Sequence, residues 1–158
     1  MLSPATVFAT NLGATLVLTG VSWFVQVVHY RLFARVAEPA WAGYAAEQQR
    51  RLALAMAVPM LLELVTAALL VARPPAWLPR PMAEGLAALV AVVWLLTFRL
   101  ERPLRLRLAA RWDRFAHQAL VLSHWVRGLA WWTRSSFLLL VVSQVLTAAP
   151  ARALTALR

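Results

Sequence analysis

Four apolar runs, each long enough to cross a membrane as a helix, dominate the pattern of hydrophobic and polar positions along the chain. They lie at about residues 4–30, 52–72, 82–100 and 119–149. A helix rises about 1.5 Å per residue, so roughly 20 residues cross a hydrocarbon core of about 30 Å. The pattern therefore predicts an all-α fold, an integral membrane four-helix bundle that forms a single transmembrane domain over residues 1–158.

The first and third connectors between these runs are amphipathic. Apolar or amphipathic side chains recur there near helical spacing: Trp41, Tyr44, Gln48 and Leu52 in the first connector, and Leu104, Leu108, Trp112 and Phe115 in the third. This spacing is typical of a helix at a membrane surface, and the arginines between the stripe positions are expected to face lipid phosphates or water. Both connectors are therefore predicted to be amphipathic helices.

Composition supports the membrane assignment. Hydrophobic residues make up 62% of the chain, against about 45–50% in soluble proteins. The formal net charge is +10, and all of the basic residues are arginines. Because these arginines lie beside apolar runs, membrane lipids are the expected partner and nucleic acid is not.

The distribution of arginine predicts the orientation in the membrane. Ten arginines lie in the first and third connectors or, in the case of Arg99, at the adjoining end of the third run. Only four lie on the other side, and they are Arg73, Arg80, Arg152 and Arg158. By the positive-inside rule, the amphipathic connectors are cytoplasmic and both termini lie outside the cytoplasm, with the chain multi-pass in a bacterial inner membrane.

Polar side chains within the apolar runs follow single helical faces. These stripes comprise Asn11, Thr15, Thr19, Ser22, Gln26 and His29 in the first run, Glu63 and Thr66 in the second, Trp94, Thr97 and Glu101 in the third, and His124, Arg127, Trp131 and Arg134 in the fourth. In hydrocarbon, such faces are stable when they are buried against one another. The four helices are therefore expected to enclose a polar interior.

Depth along the helices predicts which buried charges meet. At about 1.5 Å per residue from the cytoplasmic end, Glu63 lies about 16 Å deep, between Arg127 at about 12 Å and Arg134 at about 22 Å. An unpaired charge there costs at least about 2.5–3.5 kcal/mol. We therefore expect an Arg–Glu–Arg cluster in which Glu63 is held by Arg127, Arg134 or both. The surplus positive charge is left for Glu101 or for an anionic or carbonyl-bearing ligand.

The same residues form a candidate site for a lipid-soluble molecule with a polar head, such as a quinone or a phenol. Glu63 and His124 are the candidate catalytic residues, either of which could act as a base. The candidate ligand-binding residues are Arg127, Arg134, Trp131, Gln26, His29 and Thr97. Because arginines stabilise a developing phenolate, the favoured function is binding or oxidation of such a ligand.

Three other functions remain open on the sequence. The first is a non-catalytic accessory or structural subunit of a larger membrane complex or homo-oligomer, in which the charges only fix helix register. The second is a haem b site with His29 and His124 as ligands from opposing helices; no other cofactor is predicted, and no metal site, since the chain has three histidines and no cysteine. The third is a small transporter or proton pathway that uses Glu63.

Three segments carry a resemblance to a known group of membrane proteins. VSWFVQVVHYRLFARV (residues 21–36), PMLLELVTAALL (59–70) and SHWVRGLAWWTR (123–134) are similar to the landmarks of small four-span bacterial membrane proteins, the anthrone oxygenase-like family. Much of that family is described only as a domain of unknown function. The resemblance implies Glu63 and Arg127 as site residues, and the fungal relatives imply cofactor-free oxygenation of polycyclic phenols.

This chain departs from the resembling sequences at two places. In the fourth span, His124 stands where related sequences commonly have Asn. After the third span, Leu104 and Arg105 follow Pro103 where relatives tend to have His.

Overall fold

The computed structural model describes residues 2–33 and 35–155, which form four long helical stretches. The helices, in chain order, are α1 (Pro4–Phe24), α2 (Tyr30–Phe33), α3 (Glu38–Ala72), α4 (Arg80–Leu95), α5 (Arg102–Ala110) and α6 (Arg114–Thr155). Two π-helical segments, Val25–His29 and Leu96–Glu101, join α1 to α2 and α4 to α5 without interrupting the helical path. Arg158 and the side chain of Arg152, which were counted for the orientation, lie outside the described part.

These stretches close into a four-helix bundle. α1 packs against α3 and α6, and α4 completes the ring by packing against the same two helices. All four are long and apolar enough to cross a membrane, over Pro4–Phe33, Pro39–Ala72, Arg80–Ala110 and Arg114–Ala148. The predicted all-α membrane bundle is therefore confirmed, and no strand occurs among the described residues. Each helical stretch is longer than the predicted apolar run, because residues of the adjoining connectors are helical as well.

Local signals set the helix ends. Ser3 caps α1, since its hydroxyl accepts a hydrogen bond from the Thr6 amide at 3.1 Å, and Pro4 occupies the first turn. Residues 73–79, which include three prolines, form the turn between α3 and α4, and Leu78 within it is buried. We call this end of the bundle the turn end. The opposite end, which contains residues 35–37 and 111–113, is the connector end.

The amphipathic connectors are helical and pack on each other at the connector end. The first connector is the beginning of α3, and the third is α5. Trp41 is only 2% exposed, and its indole nitrogen donates to the Leu108 carbonyl at 2.6 Å. Its ring also meets the Trp112 ring edge to face, with centroids 4.7 Å apart. The two connectors therefore form an apolar cap over the end of the bundle.

The helical stripe predicted for the third connector is wrong at its last residue, Phe115. α5 ends at Ala110, and Arg111 takes an extended conformation with φ −161° and ψ 158°. Because the helix is interrupted there, Phe115 no longer follows Leu108 at helical spacing. Its side chain is 83% exposed.

The two π-helical segments widen the helices at the same end of the bundle. In the second segment, the Arg102 amide donates to the Thr97 carbonyl, five residues back. In the first segment, the Tyr30 amide donates to the Val25 carbonyl in the same way. Tyr30 and Glu101, at the ends of these segments, are both buried.

Three apolar clusters divide the interior along the bundle axis. Members of the turn-end cluster include Val7, Phe8, Leu70 and Leu138; the middle cluster includes Leu18, Met56, Val93 and Trp131; and the connector-end cluster includes Val25, Phe33, Trp41 and Leu120. Buried polar side chains lie between these clusters, as the stripes of the sequence predict. The apolar layers keep the polar layers away from water at both ends.

Replacing Asp113 by Ala is expected to lower the free energy of unfolding by about 1 kcal/mol. The Asp113 carboxylate accepts hydrogen bonds from the amides of Phe115 at 2.9 Å and Ala116 at 3.1 Å, at the start of α6. Asp113→Asn keeps an acceptor at this position and is expected to stay close to the wild type. Unfolding in detergent micelles, followed by circular dichroism, measures both variants, and an equal loss in both would contradict the capping role.

Candidate functional site

Buried polar side chains form two layers across the bundle. The layer nearer the turn end, the Glu63 layer, consists of Asn11, Thr15, Glu63, Thr66 and Arg134. The layer nearer the connector end, the Glu101 layer, consists of Tyr30, Thr97, Glu101, Arg105, His124 and Arg127. Trp131 contacts both, since its indole nitrogen donates to Glu63 Oε2 at 3.1 Å and the Arg127 guanidinium lies 5.1 Å from its ring centroid.

Protein donors occupy both oxygens of the Glu63 carboxylate. Oε1 accepts from the Thr15 hydroxyl at 2.8 Å and from Arg134 Nε at 3.1 Å, while Oε2 accepts from Trp131. Glu63 and Arg134 are almost completely buried. A buried ion pair is tolerated when further hydrogen bonds satisfy its remaining groups, as they do here. The Glu63 layer is therefore a closed clamp between helices.

Arg134 extends this clamp to all four helical stretches. Its Nη2 donates to Asn11 Oδ1 on α1 at 2.6 Å, and its Nη1 donates to the Leu86 carbonyl on α4. Asn11 in turn donates to the Thr66 hydroxyl on α3 at 2.7 Å. One guanidinium on α6 thus fixes the register of the other three stretches.

The expected Arg–Glu–Arg cluster around Glu63 is wrong in one respect. Glu63 pairs with Arg134, whereas Arg127 pairs with Glu101, with Arg127 Nη1 2.8 Å from Glu101 Oε2. The physical reason is that the third stretch continues as a helix past Glu101, which therefore stays inside the bundle beside Arg127. The single cluster predicted from depth is in fact two ion-pair layers, with Trp131 in contact with both.

Arg105 belongs to the buried site, although the sequence pattern assigned it to a surface that faces lipid or water. Its Nη2 donates to Glu101 Oε2 at 3.0 Å and to the Tyr30 hydroxyl at 2.7 Å. Only 13% of its side chain is exposed. The spacing of Glu101 and Arg105 at i and i+4 was the signal that could have identified this pair.

The Glu101 layer holds more positive than negative charge. The guanidiniums of Arg105 and Arg127 share one carboxylate, that of Glu101, so two charges minus one leave a single positive charge. His124 Nε2 lies 3.2 Å from the Ser22 carbonyl, and its Nδ1 lies 2.8 Å from Arg127 Nη2. These two contacts favour the neutral ring with hydrogen on Nε2, since a carbonyl only accepts and a guanidinium only donates. Nδ1 also lies 3.4 Å from Glu101 Oε1, which has no donor among the described residues.

A groove opens beside Arg127, between α3 and the stretch formed by α4 and α5. Its volume is about 410 Å³, within the range of about 300–1,000 Å³ that is usual for small-molecule sites. The walls are mainly apolar, and they include Leu52, Met56, Met60 and Phe98. The polar residues that line it are Gln49, Thr97, Arg102, Arg105 and Arg127. We call this site the Arg127 groove.

Two residues that line the Arg127 groove each carry a buried hydrogen-bond donor that has no acceptor among the described residues. These donors are Nε of Arg127, whose side chain is 2% exposed, and Nε1 of Trp94. The other nitrogens of Arg127 donate to Glu101, His124 and Thr97. An unpaired buried donor is costly, so such groups mark positions where a ligand or water completes the bonding.

Two of the predicted ligand-binding residues lie in other grooves. Gln26 lines a groove between α1 and α6, which we call the Gln26 groove, and His124 lines it as well. His29 lines a third groove, between the first π-helical segment and α3, where its ring contacts those of Phe33 and Tyr44. The candidate residues therefore do not line one groove, and His29 and His124 lie in different ones.

No group of three or more His, Asp or Glu side chains is placed to hold a metal ion in the described part of the chain. The carboxylates of Glu63 and Glu101 are bound instead by guanidiniums.

Comparisons with known proteins add no relative. A scan against protein-family models, a search of the curated proteins and a search of the solved structures gave no match to this chain. Function is therefore inferred from the geometry and charge of the site.

Removing the Glu63 carboxylate is expected to destabilise the bundle strongly. Glu63→Leu leaves the Arg134 guanidinium buried without its counter-charge, which costs about 3–5 kcal/mol. The double variant Glu63→Leu/Arg134→Leu should lose less than the sum of the two single losses, because neither charge is then left unpaired. Titration of mixed micelles with sodium dodecyl sulfate measures the free energy of unfolding of each variant.

The exposed pair between Arg80 and Glu84 provides a matched control. Its atoms Nε and Oε1 are 2.9 Å apart, but the side chains are 71% and 52% exposed. Glu84→Leu is expected to change the free energy of unfolding by less than about 1 kcal/mol. Similar losses from Glu63→Leu and Glu84→Leu would show that the buried clamp does not hold the bundle together.

Proposed function

We propose that the protein binds a lipid-soluble quinone- or phenol-like molecule in the Arg127 groove. The observation that carries this proposal is the pair of buried donors without acceptors, Arg127 Nε and Trp94 Nε1, in a groove whose walls are mainly apolar. A ring oxygen that accepts a hydrogen bond from either group satisfies it. A quinone carbonyl and a phenol oxygen both provide such an acceptor on an apolar body.

Charge favours an oxygen that carries negative charge. The Glu101 layer retains one positive charge after Arg105 and Arg127 have shared the Glu101 carboxylate. In a medium of low dielectric constant, an uncompensated charge is costly and attracts a counter-charge strongly. A phenolate, or the oxygen of a quinone that is gaining an electron, is such a counter-charge.

The position of the groove supports access from the lipid. It opens between two membrane-spanning stretches, and apolar side chains at its border, such as Leu61 and Phe98, are about half exposed. Met56 and Met60 line its wall, and methionine adapts to apolar bodies of irregular shape. A hydrophobic molecule dissolved in the bilayer can therefore enter sideways.

The residues around Arg127 hold its guanidinium in place for this role. Glu101 and His124 bind Nη1 and Nη2, which leaves Nε for the ligand. A donor fixed in advance stabilises negative charge on a ligand oxygen more effectively than a mobile one. His124 is therefore a positioning residue in this proposal, while Glu63 remains part of the helix clamp.

We also propose that the protein lies in a bacterial inner membrane with its connector end in the cytoplasm. Ten arginines lie in the first and third connectors or, in the case of Arg99, at the adjoining end of the third run, against four on the opposite side of the predicted spans. Positive charge in short loops is retained on the cytoplasmic side during insertion. Both termini then lie outside the cytoplasm.

Arg127→Met is expected to weaken binding of a lipid-soluble nitrophenol by roughly ten- to a hundredfold, because a charge-assisted hydrogen bond is lost. The wild type should bind this molecule preferentially as its coloured phenolate, so absorbance titration of purified protein in micelles reports both affinity and ionisation. A short-chain benzoquinone, followed by calorimetry, tests the carbonyl ligand. Trp94→Phe keeps an apolar aromatic ring but removes one donor, so it should reduce the affinity for the ligand less than Arg127→Met does.

Arg107→Met is the matched control for this experiment, since Arg107 is exposed on α5 and is not among the residues that line the groove. Its affinity should equal that of the wild type. Failure of the wild type to bind either molecule, or equal affinities of Arg127→Met and the wild type, would overturn the proposal. The role of accessory or structural subunit would then be favoured.

Labelling of single cysteines tests the orientation, because the chain contains no native cysteine. Ala76 is exposed in the turn between α3 and α4, and Ala46 is exposed in the first connector. A membrane-impermeant maleimide should label Ala76→Cys in intact cells, and label Ala46→Cys only after permeabilisation. The reverse pattern would show that the connector end faces outward.

A further inference from the structure

The Gln26 groove holds a buried polar group that the proposed function does not use. Its volume is about 220 Å³, and it follows the seam between α1 and α6. The Gln26 side chain lines it and is only 7% exposed, yet its Oε1 is buried without a donor among the described residues. An amide oxygen in this position is an acceptor for a ligand that donates a hydrogen bond.

Tryptophan rings form the walls of the Gln26 groove. The ring of Trp23 meets those of Trp125 and Trp132 edge to face, with centroids 6.0 and 5.7 Å away. Gly128 lies in the groove, where an added Cβ would approach only the Ser22 hydroxyl, at 3.5 Å. Rigid aromatic walls and a glycine favour a flat, rigid ring over a flexible chain.

The residues that line the Gln26 groove carry no formal charge. They are Ser22, Trp23, Gln26, His124, Trp125, Gly128, Leu129 and Trp132, and His124 is neutral by its hydrogen bonds. A phosphate or carboxylate would therefore enter without a counter-charge, which is unfavourable inside a membrane. A neutral hydroxyl needs none, and it can donate to Gln26 Oε1.

The length of the groove sets the size of the ring body. Trp125 and Trp132 are seven residues apart on α6, which corresponds to about 10 Å along the helix axis. Gln26 lies towards the connector end of this path, within the first π-helical segment. A ligand with its hydroxyl at Gln26 therefore extends its rings along α6 towards the turn end.

We propose that the Gln26 groove is a second binding site, for a neutral ring compound whose hydroxyl donates a hydrogen bond to Gln26 Oε1. Its flat body lies against Trp23, Trp125 and Trp132. Two sources supply this chemistry: a polycyclic membrane alcohol of the sterol type, and the ring of a lipid-soluble hydroquinone. The site differs from the Arg127 groove in requiring a donor on the ligand, so it does not depend on the proposed function.

Binding of an alcohol and of its methyl ether tests this site, since the ether keeps the ring body but has no hydrogen to donate. The full chain is reconstituted in phosphatidylcholine vesicles with a fluorescent conjugated sterol, and energy transfer from tryptophan measures binding. A second arm uses a short-chain hydroquinone and its dimethyl ether, measured by quenching of tryptophan fluorescence. In at least one arm, the wild type should prefer the hydroxyl compound by about five- to tenfold.

Gln26→Leu has nearly the same volume but no acceptor, and it should reduce that preference to about one. Gln144→Leu replaces an exposed glutamine on α6 and should retain the full preference. Gly128→Leu fills the groove and should reduce binding of the alcohol and of the ether alike. Because the Gly128 substitution can disturb packing, the comparison between Gln26→Leu and Gln144→Leu decides the result.

Trp94→Phe separates this proposal from the proposed function: Trp94 lines the Arg127 groove and not the Gln26 groove, so the preference in the Gln26 groove should stay unchanged. Two results would overturn the second site: no preference of the wild type for the hydroxyl compound in either arm, or a preference that Gln26→Leu retains. A preference in the sterol arm alone identifies a polycyclic alcohol as the ligand class, and a preference in the hydroquinone arm alone identifies a hydroquinone.

Discussion

The structure depends on the neutralisation of guanidiniums by carboxylates in a place that water does not reach. Arg127 and Arg134 lie seven residues apart on α6, so both point to the same side of that helix. Each requires a carboxylate at its own depth, and α3 supplies Glu63 while the third stretch supplies Glu101. An unpaired charge at either level would cost several kcal/mol, on the order of the total stability of a small domain. This requirement fixes the rotation and depth of the helices together.

The two polar layers answer that requirement differently. In the Glu63 layer, one carboxylate meets one guanidinium, and each nitrogen of Arg134 has a protein acceptor. In the Glu101 layer, Arg105 and Arg127 share a single carboxylate, and Arg127 Nε is left without an acceptor among the described residues. The first layer is closed and serves the fold. The second has unused donors beside an apolar groove, and for that reason the proposed ligand site is assigned to it.

The sequence allows prediction of the bundle and of one ion pair, because these follow from periodicity and depth. The polar stripes predicted the inward faces of the helices, and the helical rise placed Glu63 between Arg127 and Arg134, with either or both as its partner. Glu101 was predicted only as one possible partner of the surplus arginine, because the third apolar run was taken to end at residue 100, before Glu101. The helix in fact continues to Ala110, which carries Arg105 inside as well.

The remaining differences come from interruptions that periodicity does not record. A wide turn at Leu96–Glu101 and a break at Arg111 each change the direction of the side chains that follow. Phe115 therefore turned outward although its spacing matched the stripe. Gln26 and His29 both lie on the polar face of the first run and in the π-helical segment Val25–His29, but they line two different grooves. Spacing alone placed them in one site.

His124 connects the two proposed sites physically. Its Nε2 donates to the Ser22 carbonyl beside the Gln26 groove, and its Nδ1 accepts from Arg127 at the edge of the other groove. The same imidazole therefore cannot turn towards one groove without giving up a hydrogen bond in the other. The neutral ring with hydrogen on Nε2 is the form that satisfies both partners at once, which gives this histidine a defined role without direct contact with a ligand.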